Sequence, residues 1–445
     1  MNMKKLAILF LLLSSLISFS QLSNKHWIPP LHSRDSGQIS DQYIYMSTNE
    51  TTPFQVTATD GNGTPYAGSP FTISAATPIS FTIGTGQPTK MFLSLSDVNT
   101  VVSGKGVLLQ GTKDFYVSFR MRNSNHAETI ISKGKPGIGT SFRLGCLINE
   151  DQDSRKNFVA SVMATENNTT VTLSDYNTGV IFSSGTGNIT ADTQTFTLNA
   201  GQCIVFTGYS NVTANLDGII GGLITSNKPV AVNTGNALGG IDNGRADLTL
   251  DQIVSASQIG TDYIFIEGNG SNLMENPLIV AHENNTDIYI NGSTAPITTI
   301  NAGQYYLVPN SYYQGTNNRN IYVRASKPVF AYQFLGGGNS TATSGLNFIP
   351  PLSCFFQNSV NIPMVNQIGT NTYTADLMIL TYSNATITIN GVAVPTSQAQ
   401  TVLGNTDWVS YRVANQSGNL NVVSTGPLAV GVFGFQGTAV GFAGY

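Results

Sequence analysis

A phrase built around a proline returns at a fixed interval, and it constrains the fold more than any other feature of the chain. The prolines of three copies, Pro229, Pro328 and Pro427, are spaced by 99 residues, and a weaker fourth copy spans residues 112–117. Self-similarity at a fixed period indicates an array of copies of one structural unit. The sequence therefore predicts repeated units of about 100 residues.

Two further phrases recur inside the units and predict turns. Residues 199–202 (Asn-Ala-Gly-Gln) return as residues 301–304, and residues 166–169 (Glu-Asn-Asn-Thr) return as residues 283–286. Asn tolerates positive φ, so such phrases favour tight connections. The segments that follow the Asn pairs alternate apolar and polar side chains, and no long segment has helical apolar spacing. We therefore expect an almost wholly β protein with seven or eight strands in each unit.

A third phrase indicates how the units join. Residues 26–31 resemble residues 347–352, and the matching position in the last unit would lie beyond Tyr445. A terminal strand that completes the last unit is how β-propellers close their ring and remove free edges. This pattern predicts one repeat-built domain over residues 21–445, in which residues 28–31 pair with the last unit near residues 428–435.

The expected architecture is a β-propeller-like ring of seven or eight four-stranded blades. The alternative is a tandem array of β-sandwich units, each with its own seven strands. The spare N-terminal phrase favours the ring, and so does the absence of a Pro- or Ser-rich linker between units.

The N-terminus predicts export. Lys4 and Lys5 precede an apolar run from Leu6 to Ile17, and small residues follow at Ser18 and Ser20. This order is typical of a secretory signal peptide, here residues 1–20, with the mature chain starting at Gln21. The run is too short to span a bilayer, which takes about 20 apolar residues. We expect a secreted or cell-surface protein without membrane insertion.

Composition excludes one class of partner and predicts a packed interior. Only 10% of residues are charged and the formal net charge is −4, which argues against nucleic acid, because nucleic acid needs a basic face. The 41% of hydrophobic residues supports a packed core. Cys146, Cys203 and Cys354 are too few for a disulfide framework, so we expect buried, unpaired thiols.

No recognised catalytic or metal-binding pattern appears. Neither His26 nor His32 has a Cys or another His at metal-ligand spacing, and we expect both to be structural. The acidic loops at residues 60–63 and 149–153 lack the full twelve-residue calcium loop. No nucleophile elbow, phosphate loop or dinucleotide fingerprint occurs. The sequence therefore predicts no catalytic residues, no metal and no cofactor.

Two tyrosines are the candidate binding residues. Tyr312 and Tyr313 lie between polar residues, which favours an exposed platform, whereas Tyr305 and Tyr306 are at least as readily strand residues. A surface rich in Asn, Thr and Tyr suits an extracellular protein or glycan ligand. The alternative function is a glycosidase, which needs two carboxylates facing one pocket, here at the axis of the ring. Convergent carboxylates with perturbed pKa values at the axis would favour that enzyme.

Several of these segments resemble a known family. Residues 25–31, residues 43–48 and the Lys-Pro-Val strands are similar to the IgGFc-binding protein N-terminal domain family, especially its secreted Bacteroidetes-type members. The resemblance covers residues 25–445 and implies a non-enzymatic binding or adhesion module. It carries over no catalytic residue. Similar proteins continue into further β modules and a C-terminal sorting domain, so the resemblance implies that this chain is a fragment.

Overall fold

The computed structural model describes residues 21–33, 39–242, 245–270, 274–316, 318–337, 343–353, 356–436 and 440–444. The predicted signal peptide, residues 1–20, and Cys354 lie outside these ranges. The described residues form strands and short 3₁₀ turns, with no α-helix among them. The predicted all-β class is confirmed. The 3₁₀ turns are Leu95–Asp97, Lys135–Gly137, Thr213–Asn215, Ala256–Gln258, Asn310–Tyr312 and Thr396–Gln398.

The strands fall into four successive units. Unit 1 comprises β1 (Ser23–Ile28), β2 (Asp41–Ser47), β3 (Phe54–Thr59), β4 (Phe71–Ile73), β5 (Ile79–Gly84), β6 (Val107–Arg122) and β7 (Ala127–Ile131). Unit 2 comprises β8 (Ile138–Arg143), β9 (Asp153–Ala164), β10 (Thr169–Ser174), β11 (Phe182–Ser184), β12 (Gly187–Ile189), β13 (Gln194–Leu198), β14 (Cys203–Ser210), β15 (Leu223–Asp242) and β16 (Arg245–Ile253). Unit 3 comprises β17 (Gly260–Ile266), β18 (Leu278–Ala281), β19 (Thr286–Ile290), β20 (Thr298–Ile300), β21 (Tyr305–Leu307), β22 (Asn320–Gly336) and β23 (Thr343–Phe348). Unit 4 comprises β24 (Ser359–Ile362), β25 (Gln367–Ile368), β26 (Asn371–Thr372), β27 (Thr374–Tyr382), β28 (Ile387–Ile389), β29 (Val392–Ala393), β30 (Gln400–Thr401), β31 (Trp408–Gln416), β32 (Leu420–Ser424), β33 (Leu428–Gln436) and β34 (Val440–Gly444).

One long strand organises each unit: β6, β15 and β22 in the first three, and β32 followed by β33 in the fourth. In unit 3, residues 320–325 of β22 pair with β17 and β19, whereas residues 329–336 pair with β18 and β23. Each half of the strand thus has its own antiparallel partners. Unit 3 is one seven-stranded sheet in which each half, with β22 counted in both and β20 or β21 at the edge, contains four strands.

The repeated proline phrase lies where the long strand passes from one sheet to the other. Pro229 and Pro328 lie within β15 and β22 at this point, and Pro427 separates β32 from β33. Proline lacks the N–H that a continuous ladder requires, so it is tolerated where the partners change. Residues 112–117 occupy the same place in β6, which confirms the weaker fourth copy.

The two turn phrases bind each other. In unit 2 the N–H of Ala200 donates to Asn167 Oδ1 (3.0 Å), and the N–H of Asn168 donates to Asn199 Oδ1 (3.2 Å). Asn168 has a φ of +55°, as predicted for a tight turn. The Lys228 ammonium of the proline phrase donates to the carbonyl of Asn167. Unit 3 repeats all three contacts, so the phrases recur because they form one hydrogen-bonded corner.

The four units close into a ring. The last strand of each unit, β7, β16, β23 or β34, is here called its inner strand. β7 lies against β16, β16 against β23, β23 against β34, and β34 against β7 again. A propeller of seven or eight blades is not confirmed. The structure shows four units of paired sheets whose inner strands surround one axis.

The hydrophobic core is shared between units. One cluster joins Phe119 of unit 1 to Val205 of unit 2, and another joins Phe206 of unit 2 to Phe330 of unit 3. A third joins unit 3 to Trp408 of unit 4. Independent sandwiches would each enclose their own core, so these shared clusters do not match the tandem alternative.

The predicted pairing of the N-terminal segment with the last unit is wrong. β1 pairs with β6 of its own unit, Ile28 standing opposite Val107, and Leu31 forms a bridge with Phe92. In unit 4, β33 pairs with β27 and with β34. The last unit supplies its own inner strand, so its sheet has no vacant place. The two similar phrases lie at the ends of different strands, β1 and β23. What they have in common is that two prolines follow the end of the strand.

Candidate functional site

The predicted tyrosine platform does not have the expected exposure. Tyr313 is buried, with 3% of its surface exposed, and its hydroxyl accepts a hydrogen bond from Gln333 Nε2 (3.2 Å). Tyr312 is half-buried and packs against the same core cluster as Tyr306. Polar neighbours in the sequence mark the turn but do not determine which side chain points inward. An exposed Tyr313 is therefore excluded, and a binding role for Tyr312 remains a prediction.

The other two tyrosines are strand residues, as the sequence indicated. Tyr305 and Tyr306 lie in β21, opposite Val280 and Ile279. The Tyr305 hydroxyl donates to Asp217 Oδ2 of unit 2 (2.8 Å), which links the two units.

The ring axis is occupied by carboxylates. Each inner strand pairs on one side only, so its other edge points unpaired N–H groups toward the axis, where leaving them unsatisfied is costly. Glu128 of β7 accepts one N–H from every unit. Its Oε1 accepts from Thr129 (2.8 Å) and Ala443 (3.4 Å), and its Oε2 accepts from Leu250 (3.0 Å) and Leu346 (3.1 Å).

Asp251 of β16 forms the next layer. Its Oδ1 accepts the N–H groups of Ile131 (3.2 Å) and Gln252 (2.8 Å). Its Oδ2 accepts the N–H of Phe348 (3.0 Å) and a hydrogen bond from Lys133 Nζ (2.9 Å). Burial lowers the pKa of Lys133 and raises the pKa of Asp251, while the ion pair opposes both shifts.

Asp247, also of β16, lies on the other side of Glu128 along the axis. Its Oδ1 accepts the N–H groups of Leu248 (2.7 Å) and Ala127 (3.2 Å) and lies 3.3 Å from His126 Nδ1. Burial raises the pKa of Asp247 to about 6 and that of Glu128 well above its ordinary value.

These residues are the convergent carboxylates that a glycosidase would need, but they are not placed to meet a substrate. Glu128 and Asp251 are fully buried and Asp247 is 1% exposed. Their oxygens are held by backbone N–H groups, and only Asp247 Oδ2 lacks a partner among the described residues. A general acid or nucleophile must reach the scissile bond. The arrangement fits a structural role, in which the carboxylates fill and satisfy the ring axis.

A cleft, here called the axial cleft, opens at the end of the axis where Asp251 lies. It is lined by Lys133, the ion-pair partner of Asp251. It encloses about 770 Å³ of space, open solvent at its mouth included. All four units line it, and its wall is mainly apolar, from residues that include Tyr116, Lys133, Val254, Phe348, Pro350, Phe356 and Val430.

The axial cleft continues along the seam between unit 4 and unit 1. A neighbouring cavity of about 530 Å³ shares Tyr116, Val360 and Val430 with it and reaches Tyr45 and Arg120. The Tyr116 hydroxyl donates to Gln357 across this seam, and burial raises the pKa of Tyr116.

Arg120 holds the seam closed. Its Nη1 donates to the carbonyls of Met364 (2.6 Å) and Gln367 (2.9 Å), and its Nη2 donates to that of Pro363 (2.8 Å). The guanidinium carbon lies 4.1 Å from the centre of the Tyr45 ring, and burial lowers the pKa of Arg120 to about 10. Side-chain hydrogen bonds thus join unit 1 to unit 4. The sequence had predicted that a shared strand would join these two units.

The remaining titratable candidates are structural where the chain is described. His26 Nε2 donates to the carbonyl of Phe115 (2.9 Å), and burial lowers the pKa of His26 to about 4. His32 lies between the carbonyl of Leu93 and the Tyr209 hydroxyl.

Two of the three predicted buried thiols lie in the described part of the chain. Cys146 and Cys203 are buried and unpaired, as expected. The described residues contain no group of three or more His, Cys, Asp or Glu side chains close enough to hold a metal. They also include no helix long and apolar enough to cross a membrane.

Sequence reasoning missed Arg120 and the axial carboxylates. A signal existed for Glu128, because it is the only charged residue of its strand, Ala127–Ile131, in a chain with few charges. That signal does not say that Glu128 and Asp251 meet at one axis.

Comparison with known proteins gives one family. A family model described as IgGFc binding protein matches residues 127–434, which is most of the chain. No curated protein matches the sequence.

Proposed function

Because the chain belongs to the IgGFc binding protein family, we propose that it is a secreted or cell-surface binding and adhesion module whose ligand is an extracellular protein. The family match over residues 127–434 is the observation that carries this proposal. The signal peptide predicted at residues 1–20 supports export. N-terminal sequencing of the exported protein is expected to start at Gln21.

The axial cleft is the ligand site that we propose. Its apolar wall with a few polar groups suits the side chains of a protein better than the hydroxyls of a sugar. Glycan recognition, the other ligand class expected from the Asn- and Tyr-rich surface, is therefore the second candidate. Because all four units line the cleft, closing the ring is what assembles it.

We propose that the module is not an enzyme, and the glycosidase is the alternative to be tested. Three convergent carboxylates with raised pKa values are the observation in its favour. Their burial and their bonds to backbone N–H groups support a structural role instead. Purified residues 21–445 should release no product from a panel of chromogenic glycosides. Turnover that disappears in Glu128→Gln would establish the alternative.

Binding is tested with purified residues 21–445 on an array of extracellular proteins and glycans that includes immunoglobulin Fc. A captured protein is then titrated against Val254→Glu, which places a charge on the cleft wall. The matched control is Val392→Glu, at a side chain that is 72% exposed and outside the cleft.

The expected result is a loss of affinity of at least about tenfold for Val254→Glu, with Val392→Glu unchanged. Because Val254 also packs against the core, the affinities are compared at a temperature where thermal unfolding shows both variants folded. Capture of no protein would overturn the proposed function. Equal affinity of Val254→Glu and the wild type would overturn the proposed site.

A further inference from the structure

In every unit, the strand that precedes the long strand lies at an edge of the sheet next to the axis. These edge strands are β5, β14, β21 and, extended by β30, β31. A sheet edge presents unpaired N–H and C=O groups, which proteins usually cover or block.

Unit 1 covers the edge of unit 2 with backbone. Val102 and Cys203 exchange two hydrogen bonds, N–H of Val102 to the Cys203 carbonyl (2.9 Å) and N–H of Cys203 to the Val102 carbonyl (3.0 Å). The N–H of Asn99 donates to the carbonyl of Val205 (2.8 Å). A short extended segment of one unit therefore adds antiparallel to the edge strand of the next.

Units 2 and 3 contact the following edges through side chains. Asp217 of unit 2 accepts the hydrogen bond of Tyr305 in β21 (2.8 Å). Asn320 of unit 3 donates through Nδ2 to the carbonyl of Thr401 in β30 (3.2 Å). Each of three edges is thus contacted by the unit that precedes it in the ring, by backbone pairing at β14 and by a side-chain hydrogen bond at β21 and β30.

The contacting residues of units 1 and 2 belong to the connections between edge strand and long strand, residues 85–106 and 211–222. In unit 3 the connection spans residues 308–319, where Asn318 donates to the carbonyl of Gln398 (3.0 Å), and Asn320 directly follows it. In unit 4 this connection consists of residues 417–419 alone. Unit 4 contacts unit 1 instead through residues 363–372, which lie on β2 and β6. No equivalent segment covers β5 within the described part of the chain.

β5 is consequently open on its outer side. Among the described residues it pairs with β2 alone, and its Ser80 and Thr82 are exposed. When the strands of unit 1 are aligned with those of unit 2 so that Asp114 matches Pro229, Ser80 of β5 takes the position of Val205 in β14. The carbonyl of Val205 accepts a hydrogen bond from unit 1. The backbone groups of Ser80 therefore point away from β2.

The amino-acid composition of β5 allows its free edge to pair with another strand. Residues 79–84 contain no charge and no proline, the two devices that most often block an edge strand. The partly exposed apolar side chains of Tyr66, Phe71, Ile79 and Ile83 pack beside it against the core of unit 1.

We propose that a second copy of this chain covers the edge, by antiparallel pairing of β5 with β5 about a two-fold axis. Such a contact presents the same surface from both copies, and an uncharged strand meets no like charge across it. The precedent lies within the chain, where a segment of unit 1 pairs antiparallel with the equivalent edge of unit 2. A single strand pair buries less than a permanent interface, so the dimer dissociates on dilution.

The test uses purified residues 21–445 and analytical ultracentrifugation over a range of concentrations. The wild type is expected to pass from monomer to dimer as concentration rises. Ser80→Pro removes an outward N–H and should remain monomeric, whereas the matched control Ser80→Thr should dimerise like the wild type. Thermal unfolding checks that both variants fold.

A second measurement covers the case in which the proline variant does not fold. In the wild type, amide exchange across residues 79–84 should slow as concentration rises, and Thr82→Lys should abolish that slowing through repulsion across the two-fold axis. A wild type that stays monomeric at all concentrations overturns the proposal. So does a dimer whose β5 amides show no added protection. A monomer in which Ser80→Pro loses a captured protein ligand would overturn it too and assign the edge to that ligand.

Discussion

Single residues accept the hydrogen bonds of the backbone N–H groups at the centre of this ring. Four inner strands that meet at an axis bring together N–H groups with no strand partner. Glu128 and Asp251 each accept such groups from at least three units. A carboxylate offers two acceptor oxygens with several lone pairs, which no apolar side chain replaces. These carboxyl groups are therefore buried because the geometry of the strands requires acceptors there.

Removing the Glu128 carboxylate should destabilise the fold strongly. Glu128→Ala leaves four buried N–H groups without an acceptor, and we expect a loss of about 3–5 kcal/mol in the free energy of unfolding, measured in urea. The control is Glu50→Ala, which breaks an exposed ion pair with Lys113 and should cost less than about 1 kcal/mol. Equal costs for the two variants would show that Glu128 has no structural role at the axis.

His26 should make the fold sensitive to acid. Burial lowers its pKa from 6.5 to about 4, so below pH 6.5 the unfolded chain takes up a proton that the folded chain does not. The contribution to stability is complete above pH 6.5 and is lost as the pH falls toward 4, by an amount on the order of 3 kcal/mol.

The comparison of wild type with His26→Gln isolates this group. Asp247 and Glu275, whose pKa values burial raises to about 6 and about 7, act in the opposite sense, since their contribution falls as the pH rises from their ordinary values. They affect both proteins equally. Urea unfolding should show the wild type losing stability relative to His26→Gln between pH 6.5 and 4, and parallel profiles would contradict the assignment.

At the scale of elements, recurring phrases correspond to recurring contacts. The proline phrase ends one pairing of the long strand and begins the next, and the two turn phrases bind each other beside it. The same turn also contacts the preceding unit, because the backbone of Gly201 lies against that of Gly61. Turns of this protein therefore set both the local chain direction and the distance between units.

Gly201→Ala should disturb that contact. A Cβ at Gly201 would lie 1.9 Å from the Gly61 carbonyl oxygen, and the φ of +79° adds strain. Gly391→Ala is the matched control, with a φ of +78° and no atom within 4 Å of the new Cβ. We expect the control to lose about 1 kcal/mol in urea unfolding and Gly201→Ala to lose clearly more. Similar losses of stability in the two variants would mean that the units can shift apart at Gly201 at little cost in free energy.

At the scale of the whole molecule, the ring places an apolar cleft at one end of its axis on a chain with few charges. Arg120 closes the seam beside this cleft through three carbonyls, so the proposed ligand site depends on the first and last units meeting. The ion pair nearest the cleft, Lys133 with Asp251, is buried and internally balanced.

Ligand binding should consequently depend little on salt. Raising ionic strength from about 0.1 M to about 1 M shortens the Debye length from about 10 Å to about 3 Å, which weakens binding driven by exposed charges. We expect the affinity for a protein captured on the array to change less than about threefold over this range. A steep fall, measured by calorimetry, would place the contact on a charged surface outside the cleft.

The sequence by itself determined the all-β class, the repeat, and the turns at residues 166–169 and 199–202. These features depend on side-chain alternation, on the φ that Asn and Gly accept, and on the N–H that proline lacks, all of which act within a few residues. Family membership could also be predicted from the sequence, because residues 25–31, residues 43–48 and the Lys-Pro-Val strands resemble the family.

Only the tertiary structure decided which surfaces meet. It placed Tyr313 in the core, gave the last unit its own inner strand, brought Glu128 to N–H groups of all four units, and left β5 open. Each of these outcomes depends on packing between residues far apart in the chain. Local pattern carries no information on that packing, because the same strand sequence serves equally well beside several neighbours.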